Sequence, residues 1–92
     1  MSSQVILVVE DDPAIREGIR ILLSGEGYTV LEATTGENAL CQINDAVDLV
    51  ILDVMLPGIS GIKVCEELRK ISTVPILFLT AKSHESDKTI GL

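Results

Sequence analysis

The chain alternates short, continuously apolar runs with longer stretches in which apolar residues recur every three or four positions. Val5-Ile6-Leu7-Val8-Val9 is β-branched and unbroken by polar residues, the pattern of a parallel strand covered on both faces. Behind Glu10-Asp11, Asp12 is placed to cap a helix that begins at Pro13. Ile15, Ile19, Leu22 and Leu23 are expected to line one face of it. Gly25 and Gly27 end that helix, and Thr29-Val30-Leu31-Glu32-Ala33 reads as a second strand. A shorter helix over about residues 36–44 follows, with Ala39, Leu40 and Ile43 inward. The unit then repeats. Leu49-Val50-Ile51-Leu52 is a third buried strand, and Pro57-Gly58 with Gly61 marks a turn-rich loop. Val64, Cys65, Leu68 and Ile71 form the next helical stripe. Residues 75–79 make a fourth apolar run, and residues 85–92 read as the opening turns of another helix.

Strands alternating with helices over short loops imply right-handed crossovers, hence an α/β, doubly wound parallel sheet with helices on both faces. Ligands of such sheets bind outside the carboxyl ends of the strands. That directs attention to Glu10-Asp11-Asp12, to Asp53, and to Thr80-Ala81.

Composition narrows the function classes. Ninety-two residues, 47% of them apolar, suit one small domain. A net charge of −7 disfavours direct nucleic-acid binding by this segment, and two aromatic residues, Tyr28 and Phe78, are too few for a base-stacking platform. The apolar runs fall far short of the ~20 residues of a spanning helix. The first residues carry no basic cluster ahead of an apolar core, so a cytoplasmic location is expected. Cys41 and Cys65 lie in helix-like segments without a second nearby cysteine or histidine, and read as reduced thiols rather than a zinc site or a disulfide.

Singly, the residues at the strand ends have plain explanations: a helix cap, loop charges, a turn residue, the end of a strand. Jointly they do not. If the first and third strands are neighbours, Glu10, Asp11 and Asp53 crowd into one crevice. Two unit charges about 4 Å apart repel by ~4 kcal/mol at an effective dielectric near 20. A hard divalent cation resolves that conflict. Mg²⁺ suits it, taking one or two carboxylates together with water and phosphate oxygens. With the cation bound, a carboxylate at the end of a stiff strand can attack a phosphoryl group and become an acyl phosphate. Asp53 is the favoured nucleophile, Glu10 and Asp11 the metal holders, and Thr80 a hydroxyl donor to a phosphoryl oxygen.

These residues resemble the receiver domain of bacterial two-component response regulators. The match runs through Val8-Val9-Glu10-Asp11-Asp12, then Asp53-Val54-Met55-Leu56-Pro57-Gly58 with Gly61, then Val74-Pro75-Ile76 to Leu79-Thr80-Ala81, and covers essentially the whole chain. The resemblance implies a flavodoxin-like receiver fold with strand order 2-1-3-4. It implies Asp53 as phosphoacceptor and direct metal ligand, Asp11 as the other direct side-chain ligand, and Glu10 acting through water. Met55 would contribute its backbone carbonyl, and Thr80 would be the switch hydroxyl. It further implies Mg²⁺ as cofactor and a phosphohistidine on a sensor histidine kinase or phosphotransfer protein as donor. The chain would catalyse its own phosphorylation without being a turnover enzyme, and transcriptional control is the commonest role of such proteins.

The sequence also departs from the family's pattern of five strand-helix units, because it reads as a receiver that stops early in the fourth helix. The lysine and the aromatic residue of the family's fifth strand have no counterpart here. Lys82 follows the fourth strand and reads as a solvated loop charge, and His84 as a surface residue. Lacking a phosphate-pairing cation is expected to weaken phosphoryl stabilisation. An uncovered fourth strand is expected to favour a homodimer, a segment-swapped dimer or marginal stability. Three other readings compete. An aspartyl phosphatase of the haloacid dehalogenase type needs a second acid two residues after the nucleophile, where this chain has Met55. A flavodoxin-like cofactor module needs phosphate-cradling residues where this chain has Glu10-Asp11-Asp12-Pro13. A receiver-like scaffold that is not phosphorylated fits the missing lysine but not the intact acid set.

Overall fold

The computed structural model describes residues 4–79. Four strands alternate with three helices: β1 (Val5–Val9), α1 (Pro13–Gly25), β2 (Thr29–Ala33), α2 (Gly36–Gln42), β3 (Leu49–Asp53), α3 (Gly61–Ile71) and β4 (Ile76–Leu79). All neighbouring strands are parallel and their order is β2-β1-β3-β4, the doubly wound arrangement expected from the sequence.

Alternation along β1 and β3 divides the core in two. Leu7, Val9, Val50 and Leu52 pack on one face of the sheet with Ala39 of α2 and Val64 and Leu68 of α3. Ile6, Val8 and Ile51 face the other way, against Ile19 and Leu23 of α1. The continuous apolar runs of β1 and β3 are therefore covered on both sides.

The helix ends follow local chemistry. The Asp12 carboxylate accepts from the Ala14 and Ile15 amides at 2.9 and 3.3 Å, and Pro13 opens α1. At the other end the Gly27 and Tyr28 amides donate to the Ser24 and Leu23 carbonyls, and Gly27 takes a φ of 95°. That left-handed turn reverses the chain into β2 and favours glycine.

Two of the expected helical stripes are wider in the sequence than in the fold. On α1, Ile19 and Leu23 are packed, but Ile15 lies at the margin and Leu22 is 66% exposed. On α3, Val64 and Leu68 are buried and Cys65 partly so, whereas Ile71 is 63% exposed. Each helix touches the sheet along a strip narrower than its apolar arc. The outer edge of that arc finds no cover among the described residues. The helix expected over residues 85–92 lies outside the described residues.

This contrast is measurable. Leu68→Ala is expected to lower stability by about 2–5 kcal/mol in urea unfolding. Ile71→Ala, one turn on, should change it by no more than about 0.5 kcal/mol. Equal losses at the two positions would contradict the packing described.

Candidate functional site

The site is built where β1 and β3 end side by side. Their register pairs Val9 with Leu52, so the next residue of each chain segment, Glu10 and Asp53, emerges at the same edge of the sheet. Both are buried, at 1% and 0% exposure. Asp11 follows at intermediate exposure. One carboxylate oxygen from each of Glu10, Asp11 and Asp53 lies within 4.8 Å of the others. The three acids expected to converge do so.

Backbone groups aim these side chains. The Glu10 amide extends the β1–β2 ladder by donating to the Ala33 carbonyl at 3.0 Å, and its carboxylate accepts from the Asp12 amide at 3.1 Å. Asp12 thus caps α1 with its own side chain while its amide holds that of Glu10. On the other strand, Asp53 Oδ1 accepts from the Met55 amide at 3.0 Å. The Met55 side chain is exposed. Position 55 therefore brings a main-chain group, not an acid, to this edge of the site. The loop returns to the sheet through Gly61, whose amide donates to the Val54 carbonyl at 3.0 Å, and Ser60 caps α3 by accepting from the Lys63 amide. A Cβ on Gly61 would overlap the Asp53 carbonyl and stand 2.7 Å from Val54 Cα. The start of α3 rests directly on the backbone of Asp53. Thr80, Lys82 and His84 lie outside the described residues. The Val54 amide reaches the carbonyl of Leu79, the residue before Thr80, at 3.3 Å.

Three hard oxygen donors at this spacing, two of them buried, are a donor set for a hard divalent cation. The burial of Asp53 at the end of a strand holds its carboxylate at a fixed position.

One element of the site was not anticipated from the sequence. Arg16, on the second turn of α1, donates through Nη1 to the Glu10 and Asp11 carbonyls at 2.9 and 3.4 Å. Its Nε donates to Glu32 of β2 at 3.0 Å. The available signal was Glu32 itself, a charged residue inside an otherwise apolar strand run, with Arg16 and Arg20 spaced four apart on the preceding helix.

A parallel α/β sheet with an acidic crevice at the carboxyl ends of its two central strands defines the class. A model of the response regulator receiver domain matches residues 6–92. The chain belongs to the response regulator receiver family. It is 58% identical over 87 residues to the uncharacterised transcriptional regulatory protein YrkP of Bacillus subtilis, covering 95% of this chain and 38% of that protein. To the DNA-binding response regulator MtrA of Mycolicibacterium smegmatis it is 48% identical over 90 residues, covering 97% and 40%. The chain thus spans about two fifths of the length of these relatives. Among solved structures, the response regulator TrrA of Thermotoga maritima in complex with Mg²⁺-BeF superposes with a TM-score of 0.79 at 46% identity, covering 90% of this chain and 74% of that one. TrrA bound to the histidine kinase ThkA gives a TM-score of 0.79 at 45% identity, covering 92% and 75%. Among the described residues no helix is long and apolar enough to cross a membrane.

The contact at Gly61 yields a prediction. Gly61→Ala is expected to cost about 1–3 kcal/mol, as overpacking does, and to shift the amide resonances of residues 53–55 in metal-free protein. Unchanged resonances there would show that α3 does not bear on Asp53.

Proposed function

We propose that this chain accepts a phosphoryl group on Asp53 from the phosphohistidine of a sensor histidine kinase or phosphotransfer protein, in a Mg²⁺-dependent reaction in the cytoplasm. The observation that carries this reading is the convergence of the Glu10, Asp11 and Asp53 carboxylates at the ends of β1 and β3. The complex of TrrA with a histidine kinase, and the complex of TrrA with Mg²⁺-BeF, support the donor and the cation by similarity.

Asp53 and Asp11 would hold Mg²⁺ through their side chains, Met55 through its backbone carbonyl, and Glu10 through water. Mg²⁺ bound there offsets the negative charge that a phosphoryl group brings to an acidic crevice. In the transfer, an Asp53 carboxylate oxygen forms a bond to phosphorus as the phosphorus–nitrogen bond of the donor breaks, and the departing imidazole takes up a proton. The residues of this chain do positional work. The Met55 amide holds Oδ1 of Asp53 and so leaves the orientation of the carboxylate defined. The Asp12 amide turns Glu10 into the crevice rather than out of it. Thr80 would donate its hydroxyl to a phosphoryl oxygen, and the loops around it would change population on modification. The names of the relatives support transcriptional control as the output of the longer proteins in which this domain occurs.

Incubation with acetyl phosphate and Mg²⁺, followed by intact-mass measurement, tests the reading. Wild type should gain one phosphoryl group that does not form when the metal is chelated beforehand and is absent from Asp53→Asn. An equal adduct on both proteins moves the acceptor elsewhere. No adduct on wild type, together with no Mg²⁺ binding, removes the reading altogether.

A further inference from the structure

The two residues that would hold the cation from β1 are aimed by a loop, and something must keep that loop from relaxing under the mutual repulsion of three carboxylates. The Asp12 cap fixes the start of α1, and the Glu10 amide fixes the end of β1. Between them, the Glu10 and Asp11 carbonyls are both gathered by a single guanidinium, that of Arg16, whose side chain is only 18% exposed. The guanidinium is itself held. Glu32 of β2 takes Arg16 Nε on one carboxylate oxygen at 3.0 Å and Arg20 Nε on the other at 3.3 Å. Arg20 also pairs with Glu17 at 3.6 Å. Gln42 of α2 donates to the Glu32 carbonyl at 2.7 Å, which anchors the same strand residue from the opposite direction.

We propose that Arg16 is the positioning residue of the metal pocket, and that Glu32, which contributes no ligand, sets the affinity of the pocket for Mg²⁺ through Arg16. The inference rests on the metal reading given under Proposed function. Its physical content is a fork with fixed geometry. A guanidinium presents several N–H groups in one plane, so one side chain spans two successive carbonyls and a carboxylate on a neighbouring strand. A lysine ammonium carries the same charge without that fork.

At Arg16, charge and geometry predict opposite signs. If Arg16 acted through its charge alone, removing it would draw a cation in more strongly, so Arg16→Gln would bind Mg²⁺ more tightly and Arg16→Lys would match wild type. As a positioning residue it demands the reverse: both variants bind more weakly, by about tenfold, the lower end of the range seen when supporting partners of metal ligands are lost. Glu32→Ala should weaken binding in the same direction. The double variant Arg16→Lys/Glu32→Ala should bind no worse than Arg16→Lys alone, because the second change acts only through the first.

The measurement is a Mg²⁺ titration of the 92-residue chain by calorimetry, beside amide hydrogen exchange of the metal-free protein. Faster exchange at the Asp12 amide in Arg16→Lys, with unchanged helical circular dichroism, is the expected metal-independent sign of a loosened loop. Arg16→Lys with wild-type affinity, Arg16→Gln with higher affinity, or additive losses in the double variant would each overturn the clamp. A wild-type chain that takes up no Mg²⁺ overturns the metal reading and the clamp together, whereas wild-type binding with an indifferent Arg16→Lys overturns the clamp alone. Should Arg16→Gln fail to fold, Arg16→Lys, alone and combined with Glu32→Ala, decides the same question, because it keeps the charge and removes the fork.

Discussion

The structure depends on the parallel register between β1 and β3. Once Val9 lies beside Leu52, the next residues along both strands must emerge together, and both are acids. Their repulsion is not small: a close pair of like charges costs a few kcal/mol at the dielectric of a protein edge. The register is imposed nonetheless by Leu7, Val8, Val9, Val50 and Leu52, all inaccessible to solvent. Each is worth about 1.5–3 kcal/mol in transfer from water, so a few of them outweigh one carboxylate pair. A one-residue slip of β3 against β1 would carry Val50 and Leu52 to the opposite face of the sheet. The acids therefore stay together because the apolar pattern behind them allows no other alignment.

Much of this was legible in the sequence, and for the same reason. Strands read as continuous apolar runs because both faces of the sheet are covered, and the Asp12-Pro13 start of α1 declared itself by residue type. Glu10, Asp11 and Asp53 could be found because a parallel sheet exposes the carboxyl ends of its strands, and those residues follow the apolar runs directly. Periodicity was less informative about depth. It set the apolar arcs of α1 and α3 but could not say how much of each arc a four-stranded sheet would cover, which is why Leu22 and Ile71 are exposed while Leu23 and Leu68 are not. The strand order came from family resemblance, since no local pattern says which strands lie side by side. The pairing of Arg16 with Glu32 went unread for a related reason. Their contact joins two residues 16 positions apart, and only the fold brings them within hydrogen-bonding distance.

Pairs of this kind carry much of the precision of the site. The carboxylates belong to strand ends, but their aim comes from amides and a guanidinium one layer further out: the Asp12 amide on Glu10, the Met55 amide on Asp53, Arg16 on the Glu10 and Asp11 carbonyls. A crevice of like charges is stable only while such supports prevent its members from turning outward, and each support is itself fixed by the start of a helix or by a neighbouring strand. The capping of α1 and the shape of the acidic crevice are consequently one problem in this chain, since Asp12 serves both.

The same closeness decides where an event at Asp53 is felt first. The backbone of Asp53 has the first residue of α3 pressed against it, with no room for even a methyl group at Gly61. The next amide, that of Val54, is bonded to the last carbonyl of β4. A protein interior packed at crystal-like density responds to added volume and charge by moving neighbours rather than by compressing them. On the proposed function, a phosphoryl group on Asp53 therefore acts on two bodies before any other: the amino end of α3, and the end of β4 where Thr80 begins. Both lie on the β3 side of the sheet, away from the Arg16–Glu32 contact on the β1–β2 side. The crevice thus has one wall held by the Arg16–Glu32 contact and one wall in direct contact with Asp53, and on the proposed function it is the second wall that has a mechanical reason to move.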